Sequence, residues 1–130
     1  MVEAQNFAPL HKGDNIMSKE AEIKFSIKLD DNNMPVAIFW EASDSEFKGK
    51  KPCDSVMISI WDKEEKNTLS LDLWTKDMIV GEMNAHFFLT FMKMAETYER
   101  ATKNKEVADM IKSFVSDFAS KVEELANIYK

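Results

Sequence analysis

The chain has few side chains of the kinds that act as nucleophiles or general bases. Cys53 is its one cysteine, and His86 is the one histidine outside the N-terminal region. Lys50 and Lys51 stand close to Cys53 and are placed to lower the pKa of its thiol. No second cysteine or nearby histidine completes a redox or nucleophilic pair. His86 falls inside an apolar helical pattern. We therefore expect it to lie in the core or on the helix surface, with its polar atoms satisfied by hydrogen bonds.

Acidic residues and glycines can bind ions or phosphates in other proteins, but in this chain their spacing is typical of turns. The acidic pairs Asp30-Asp31 and Glu64-Glu65 lack the spacing of a calcium loop. Three isolated glycines cannot form a phosphate-binding loop, and two histidines with one cysteine are too few for a structural zinc site built from nitrogen and sulfur ligands alone. The sequence therefore predicts no metal, no cofactor and no enzymatic activity, although the spacing of its carboxylates leaves general acid–base chemistry open.

The composition indicates a soluble acidic domain. The chain has 130 residues, of which 45% are hydrophobic, and 17 Lys+Arg against 23 Asp+Glu give a formal net charge of -6. This charge argues against a general nucleic-acid binder, whose affinity comes from basic side chains that neutralise phosphates. No apolar stretch approaches the ~18 residues of a spanning helix, and the N-terminal region lacks the pattern of a secretory signal. We expect a cytoplasmic protein without direct membrane insertion.

The first part of the chain differs from the rest. Met17-Ser18-Lys19 reads like a natural start, because the first strand pattern begins directly after it. We predict a flexible N-terminal extension over residues 1–17 and a single α+β domain over residues 18–130.

The apolar residues first alternate with polar ones, a period that is typical of strands. Strands are predicted at Ile23–Leu29, Val36–Ala42, Val56–Trp61 and Thr68–Thr75, with a polar loop over Ser43–Asp54. The inward positions are predicted to be Ile23, Phe25, Ile27, Leu29, Val36, Ile38, Trp40, Val56, Ile58, Ile60, Leu69, Leu71 and Leu73. Short connections favour antiparallel pairing.

After Thr75 the apolar residues recur every three or four positions, as in helices. Asp77 is a possible N-cap of a first helix, which ends before residues 102–105. A second, amphipathic helix is predicted from about Glu106 to Tyr129. The predicted fold is a two-layer α+β domain in which a four-stranded antiparallel meander is followed by two C-terminal helices (ββββαα), with one sheet face packed on the helices.

Apolar side chains also occupy positions that the predicted fold leaves outside its core. On the outward sheet face and the first helix we predict partner-binding residues, namely Phe39, Met57, Trp61, Trp74, Phe88 and Met92. A contiguous apolar patch usually marks an interface, so we expect binding of a protein partner or self-association. Alternatively, the N-terminal tail or the loop 43–54 covers this sheet face. The basic segment Phe47–Pro52 is either a solvated loop tip or a docking patch for an acidic partner.

Two segments carry a family resemblance. Residues 71–78, LDLWTKDM, and residues 94–102, MAETYERAT, closely resemble the GldC family of gliding-motility proteins, and the start at Met17-Ser18-Lys19 with Glu22–Phe25 is similar as well. The resemblance implies a small cytoplasmic accessory factor of the gliding apparatus, without enzymatic activity or cofactor, that binds other proteins, including other gliding components. The apolar residues outside the predicted core add the expectation of a homo-oligomer. It supplies no site residues.

The order of the elements suggests a second likeness. Four antiparallel strands followed by two helices in an acidic chain are similar to the SecB export chaperone. That likeness implies oligomers formed through sheet and helix and, as an alternative function, binding of unfolded or exported polypeptides. It concerns the fold alone and supports a function only weakly.

Overall fold

The computed structural model describes residues 19–128, so the predicted extension over residues 1–17 lies outside the described residues. The chain divides into two compact units, a β unit that ends at Met78 and an α unit that begins at Ile79. The elements in chain order are β1 (Ile23–Leu29), β2 (Pro35–Ala42), β3 (Lys51–Cys53), β4 (Ser55–Asp62), β5 (Asn67–Trp74), α1 (Val80–Thr102) and α2 (Lys105–Ile128). The predicted α+β class is confirmed, with five strands instead of four.

β1 and β2 form the predicted antiparallel hairpin. Phe25 lies opposite Trp40, and Ile27 lies opposite Ile38, so these apolar side chains share one face. Ile38 is only 1% exposed and forms the centre of the β-unit core. The prediction that Ile23, Phe25 and Leu29 also point into a core is wrong, since each is exposed by two fifths or more on β1, an edge strand among the described residues. Asp30 makes the turn, because its Oδ1 accepts hydrogen bonds from the N–H groups of Asn32 (2.8 Å) and Met34 (3.0 Å).

The predicted loop 43–54 contains a strand that the sequence analysis missed. β3 pairs antiparallel with β2, and Cys53 lies opposite Ile38. The chain bends at Asp54, after which β4 pairs with β5 in a second sheet. Asp54 is tied to the residue that follows β5 at the base of that hairpin, because its carbonyl accepts the Thr75 N–H (2.9 Å) and its Oδ1 accepts the Thr75 hydroxyl (3.0 Å). The prediction of one four-stranded meander is therefore wrong: the strands form sheets of three and two.

The β4–β5 hairpin has the predicted strand faces but not the predicted burial. Val56 lies opposite Leu73 and is buried, as expected. Further along the same face, Ile60 lies opposite Leu69, and both side chains are about half exposed, as is Leu71. The prediction that these three residues point into a core is wrong. They lie toward the hairpin tip, where a two-stranded ribbon has few neighbours that can cover them.

The start of α1 differs from the prediction. The N-cap residue is Ile79, and Glu82 Oε1 accepts a hydrogen bond from its N–H (3.3 Å). The prediction of Asp77 as N-cap is wrong because Asp77 lies within a turn, which the Met78 N–H closes on the Thr75 carbonyl (3.2 Å). An acidic side chain in the first helical turn still complements the helix dipole.

Two residues connect the helices. Lys103 adopts a left-handed conformation (φ 61°), and its N–H bonds to the Glu99 carbonyl (2.8 Å), which ends α1. Asn104 then caps α2, because its Oδ1 accepts the Val107 N–H (3.1 Å).

The helical hairpin packs through small residues and phenylalanines. Ala95, Ala108 and Val115 are fully buried, and side chains of this size let two helices approach closely. The Phe91 ring lies edge-on to Phe114 (5.6 Å between centroids) and to Phe118 (5.4 Å). These edge-to-face contacts suit the aromatic quadrupole and link the two helices beyond their buried residues.

Candidate protein-binding surfaces

Three of the predicted partner-binding residues share one face of the β4–β5 hairpin. Trp61 and Trp74 are 64% and 56% exposed, and Met57 is half-buried. The hairpin register places the two tryptophans six positions apart, which is about 20 Å along a strand. The positions between them are largely polar, with Ser59 opposite Ser70 and Met57 opposite Asp72. The two tryptophans are thus separate exposed groups, and the predicted contiguous patch is not formed between them.

The opposite face of the hairpin is the more continuous apolar surface. Every position along it is Val, Ile or Leu from Val56 and Leu73 to the pair Ile60 and Leu69. Its exposed part consists of Ile60, Leu69 and Leu71. Sequence reasoning missed this surface because alternation shows which side chains share a face, whereas it does not show whether anything covers that face.

Phe39 belongs to the other sheet. It lies on β2 and is half-buried, and the Lys28 ammonium stands 5.8 Å from the centre of its ring. Ser26 and Pro52 flank it on the neighbouring strands. Phe39 therefore lies among small or polar neighbours and has a cation–π contact within the β unit.

A groove of about 450 Å³ runs along the β unit. It is lined by Ile23, Phe25, Trp40, Lys51, Cys53, Ser55, Val56, Met57 and Ile58. Most of these side chains are apolar, as is usual for a site that takes an apolar group.

Cys53 lies half-buried in this groove, and its environment raises the pKa of its thiol instead of lowering it. Burial raises the pKa of the thiol, and the negative charge of Asp54 raises it further. The prediction that Lys50 and Lys51 lower the pKa is wrong, since desolvation and the neighbouring carboxylate outweigh them. The thiol form, which is the poor nucleophile, is favoured.

An aromatic contact holds the segment Phe47–Pro52 against the sheet. The Phe47 ring lies edge-on to Trp40 (6.4 Å), and the Lys51 ammonium stands 3.7 Å from the centre of the Phe47 ring. One of the three lysines of this segment is therefore engaged by its own loop. Beside it, a pocket of about 350 Å³ has both acidic and basic side chains in its lining, among them Glu22, Lys24, Glu41 and Lys48.

In the α unit, both predicted residues are half-buried on α1. Phe88 lines a shallow groove of about 270 Å³ together with Phe118 and Val122 of α2, whereas Met92 is not part of its lining. Apolar residues outside the prediction are more exposed, among them Leu89, Met94, Met110 and Phe114.

His86 lies half-buried on α1. Its Nε2 atom is buried without a hydrogen-bond partner among the described residues, so the expected satisfied histidine is not found.

Among residues 19–128, no group of three or more His, Cys, Asp or Glu side chains is arranged to hold a metal ion. No helix in the same range combines the length and the apolar character that crossing a membrane requires.

Comparison with known proteins gives one match. The model of the family described as gliding motility-associated protein GldC-like matches residues 35–124, which is more than half of the chain and spans both units. No curated protein and no solved structure gives a significant match. The matched range includes both segments on which the resemblance rests, residues 71–78 and 94–102. The chain therefore belongs to the GldC-like family of gliding motility-associated proteins.

Proposed function

We propose that this chain is a non-catalytic accessory protein of the bacterial gliding machinery that works in the cytoplasm by binding other proteins, including copies of itself. The observation that carries the proposal is the exposure of large apolar side chains in both units. Fully buried apolar residues are few by comparison, Ile38, Ala95 and Val115 among them. Exposed apolar surface beyond single scattered residues marks interaction sites in proteins of this size.

The exposed residues have the chemistry of interface anchors. Tryptophan and methionine are enriched in protein interfaces, and Trp61, Trp74 and Met94 are all more than half exposed. The net charge of -6 on the chain would favour partners with a basic surface.

The two faces of the β4–β5 hairpin offer a matched test. One double variant, Trp61→Ser with Trp74→Ser, removes the exposed aromatic residues, and a second, Ile60→Ser with Leu69→Ser, removes exposed aliphatic residues from the opposite face. Each variant replaces the wild-type gene in the gliding bacterium that makes this chain. Crosslinking and capture would then quantify the gliding components recovered with it, and colony spreading would report motility.

We expect at least one double variant to lose its crosslinked gliding components while its circular dichroism spectrum and cellular abundance stay at the wild-type level. Recovery and spreading that are unchanged in both variants would remove the hairpin from the proposal. A wild-type protein that crosslinks to no gliding component would overturn the proposal itself.

The apolar groove of the β unit favours a second candidate, a chaperone that binds unfolded or exported polypeptides. Ile23, Phe25, Trp40 and Met57 give the groove an apolar lining along several strands, which suits an extended apolar segment. The purified protein should then suppress aggregation of an unrelated unfolded protein at near-stoichiometric ratio. Lack of suppression would leave dedicated gliding partners as the candidate.

A further inference from the structure

The two edges of the three-stranded sheet differ in how they are protected against pairing with another chain. The strand order is β1-β2-β3, so β1 and β3 are its edges within the described residues. β3 is three residues long and contains Pro52, and both features block the addition of a further strand. β1 is seven residues long, without proline, and its register is regular until the irregularity between Lys28 and Leu29.

The backbone of β1 points half of its hydrogen-bonding groups away from β2. The Glu22 carbonyl accepts the Ser43 N–H (3.0 Å), and the Asp30 N–H donates to the Met34 carbonyl (2.9 Å), so even-numbered residues bond toward β2. In an antiparallel ladder, hydrogen-bonded and non-bonded positions alternate. The N–H and C=O groups of the odd-numbered residues, from Ile23 to Leu29, therefore lie along the outer edge.

The same odd-numbered residues carry exposed apolar side chains. Ile23, Phe25 and Leu29 are each exposed by two fifths or more of their surface. A long, regular and apolar edge is a template for pairing with a further strand. The charged residues of β1, Lys24 and Lys28, occupy even-numbered positions on the other face.

We infer that β1 pairs antiparallel with β1 of a second copy of this chain, with a twofold axis at Phe25. In this register Ile23 lies opposite Ile27 of the other copy, and Glu22 lies opposite Lys28. The symmetric pair creates the Glu22–Lys28 contact twice. Opposite charges directly across from each other stabilise antiparallel strands, whereas like charges destabilise them.

Charge disfavours the neighbouring registers. An axis at Ser26 sets Lys24 against Lys28 twice, and an axis at Lys24 sets two copies of that lysine against each other. An axis at Ile27 would set Lys24 against Asp30, an opposite-charge pair, but it would also set the apolar Ile23 against the acidic Asp31. The axis at Phe25 pairs Ile23 with Ile27, Phe25 with its own copy and Leu29 with Ala21, and it adds the opposite charges of Glu22 and Lys28; the like charges of Glu20 and Asp30 lie outside β1.

This inference deepens the self-association in the proposed function and rests on it. It specifies the surface and the register of the self-association. The gliding partners of the chain would bind other surfaces, such as the β4–β5 hairpin.

The test is sedimentation velocity on the full chain and four variants, with circular dichroism as a check on folding. The wild type should sediment with twice the 15.0 kDa mass of one chain. Lys28→Glu and Glu22→Lys each set like charges across the pair twice, so each should raise the dimer Kd by about tenfold. The combined variant Glu22→Lys/Lys28→Glu restores opposite charges and should restore the Kd.

Lys24→Glu is the matched control, because Lys24 lies opposite the neutral Ser26 in the proposed register and its 4.0 Å contact with Glu22 of the same chain joins two exposed groups. Its Kd should change by no more than about twofold. With an axis at Ser26, the same variant would instead tighten the dimer, and so would Lys28→Glu.

A fifth variant tests the backbone contribution. Phe25→Pro removes an N–H that points to the outer edge, so the ladder to β2 is kept and the dimer should be lost. A dimer that persists in Phe25→Pro and ignores the charge variants would overturn the strand pairing while self-association stands. A wild type that stays monomeric at about 100 μM would overturn self-association too. Partner capture in cells would then decide the rest of the proposed function.

Discussion

The β unit and the α unit both expose apolar side chains, but they differ in what their backbones offer to a partner. A helix uses its interior N–H and C=O groups within itself, so the surfaces of α1 and α2 can be recognised only through side chains. The outer edge of β1 adds a row of directional hydrogen-bonding groups. Contacts on the α unit are therefore governed by shape, whereas contacts on β1 are also governed by strand direction and register.

The cores of the β unit and the α unit also differ, in the size of the side chains that build them. The β-unit core is built on the branched side chains of Ile38 and Val56, and the α unit closes around Ala95 and Ala108. Removal of volume should therefore harm the β unit most, and addition of volume should harm the α unit most. The two units also have separate probes, since all three tryptophans lie in the β unit, at positions 40, 61 and 74, and most helical signal comes from α1 and α2.

The largest effect is expected from Ile38→Ala. The side chain is 1% exposed, so its truncation leaves a cavity and should lower the free energy of unfolding of the β unit by about 3 kcal/mol. Tryptophan fluorescence during urea unfolding measures the change. Ile60→Ala, at an exposed position, is the control and should cost less than about 1 kcal/mol. Equal losses in both variants would contradict the assignment of the core to Ile38.

Ala108→Leu should come next. Ala108 has no exposed surface, so a larger side chain forces the helices apart and should cost the α unit about 2 kcal/mol. The helical circular dichroism signal in urea reports the shift. Ala101→Leu, at an exposed position near the end of α1, should be nearly neutral. A neutral Ala108→Leu would show that the helical hairpin is packed more loosely than described.

A smaller effect is expected at the cap of α2. Asn104→Ala removes the side chain that accepts the Val107 N–H and should cost about 1 kcal/mol by the same helical signal. Asn104→Ser keeps a good capping oxygen and should retain most of that stability. If serine were as harmful as alanine, the cap would not be the cause.

The smallest effects concern two exposed carboxylates, one in each unit. Backbone hydrogen bonds from Met34 and Asn32 hold the pKa of Asp30 below its usual value, and the hydrogen bond and charge of Lys105 do the same for Asp109. A lowered folded pKa stabilises the folded state above the unfolded value of about 3.9, and that stability is lost as the pH falls through the folded pKa. Asp30→Asn should therefore reduce the loss of stability at acid pH that tryptophan fluorescence reports. Asp109→Asn should reduce the corresponding loss that the helical circular dichroism signal reports.

The effects of these two carboxylates on stability should respond differently to salt. At about 1 M NaCl the effect of Asp109 should shrink, because its ion pair with Lys105 (2.7 Å) is exposed and screened. The effect of Asp30 should persist, because backbone N–H groups cause it. Identical salt responses would contradict this division.

Most elements can be predicted from the sequence because their apolar residues recur without interruption at the period of a strand or a helix. β1, β2, β5 and both helices begin and end within a few residues of their expected limits. β3 escaped prediction because Lys51-Pro52-Cys53 carries no alternation long enough to detect, and an edge strand tolerates a lysine and a proline. The break at Asp54 depends on its two bonds to Thr75, which lies 21 residues further along the chain and has no local signal.

The site was less predictable than the fold. Trp61 and Trp74 were correctly placed on one face, but their separation follows from the hairpin register, which the strand patterns leave open. The exposure of Ile60 and Leu69 depends on what lies above them, and the alternation is the same in either case.

The bonds between Asp54 and Thr75 add one further pair to the β4–β5 ladder at the base of the hairpin, where Ser55 already lies opposite Trp74. The other end of the ladder, near Ile60 and Leu69, is exposed and has few neighbours. Local opening should therefore begin at the tip and reach the base last, because opening free energies are lowest where few contacts resist them. Amide hydrogen exchange should show longer protection of the Thr75 N–H than of the bonded N–H groups near the tip, and the end of the hairpin that exposes its apolar side chains would also be the end that opens first.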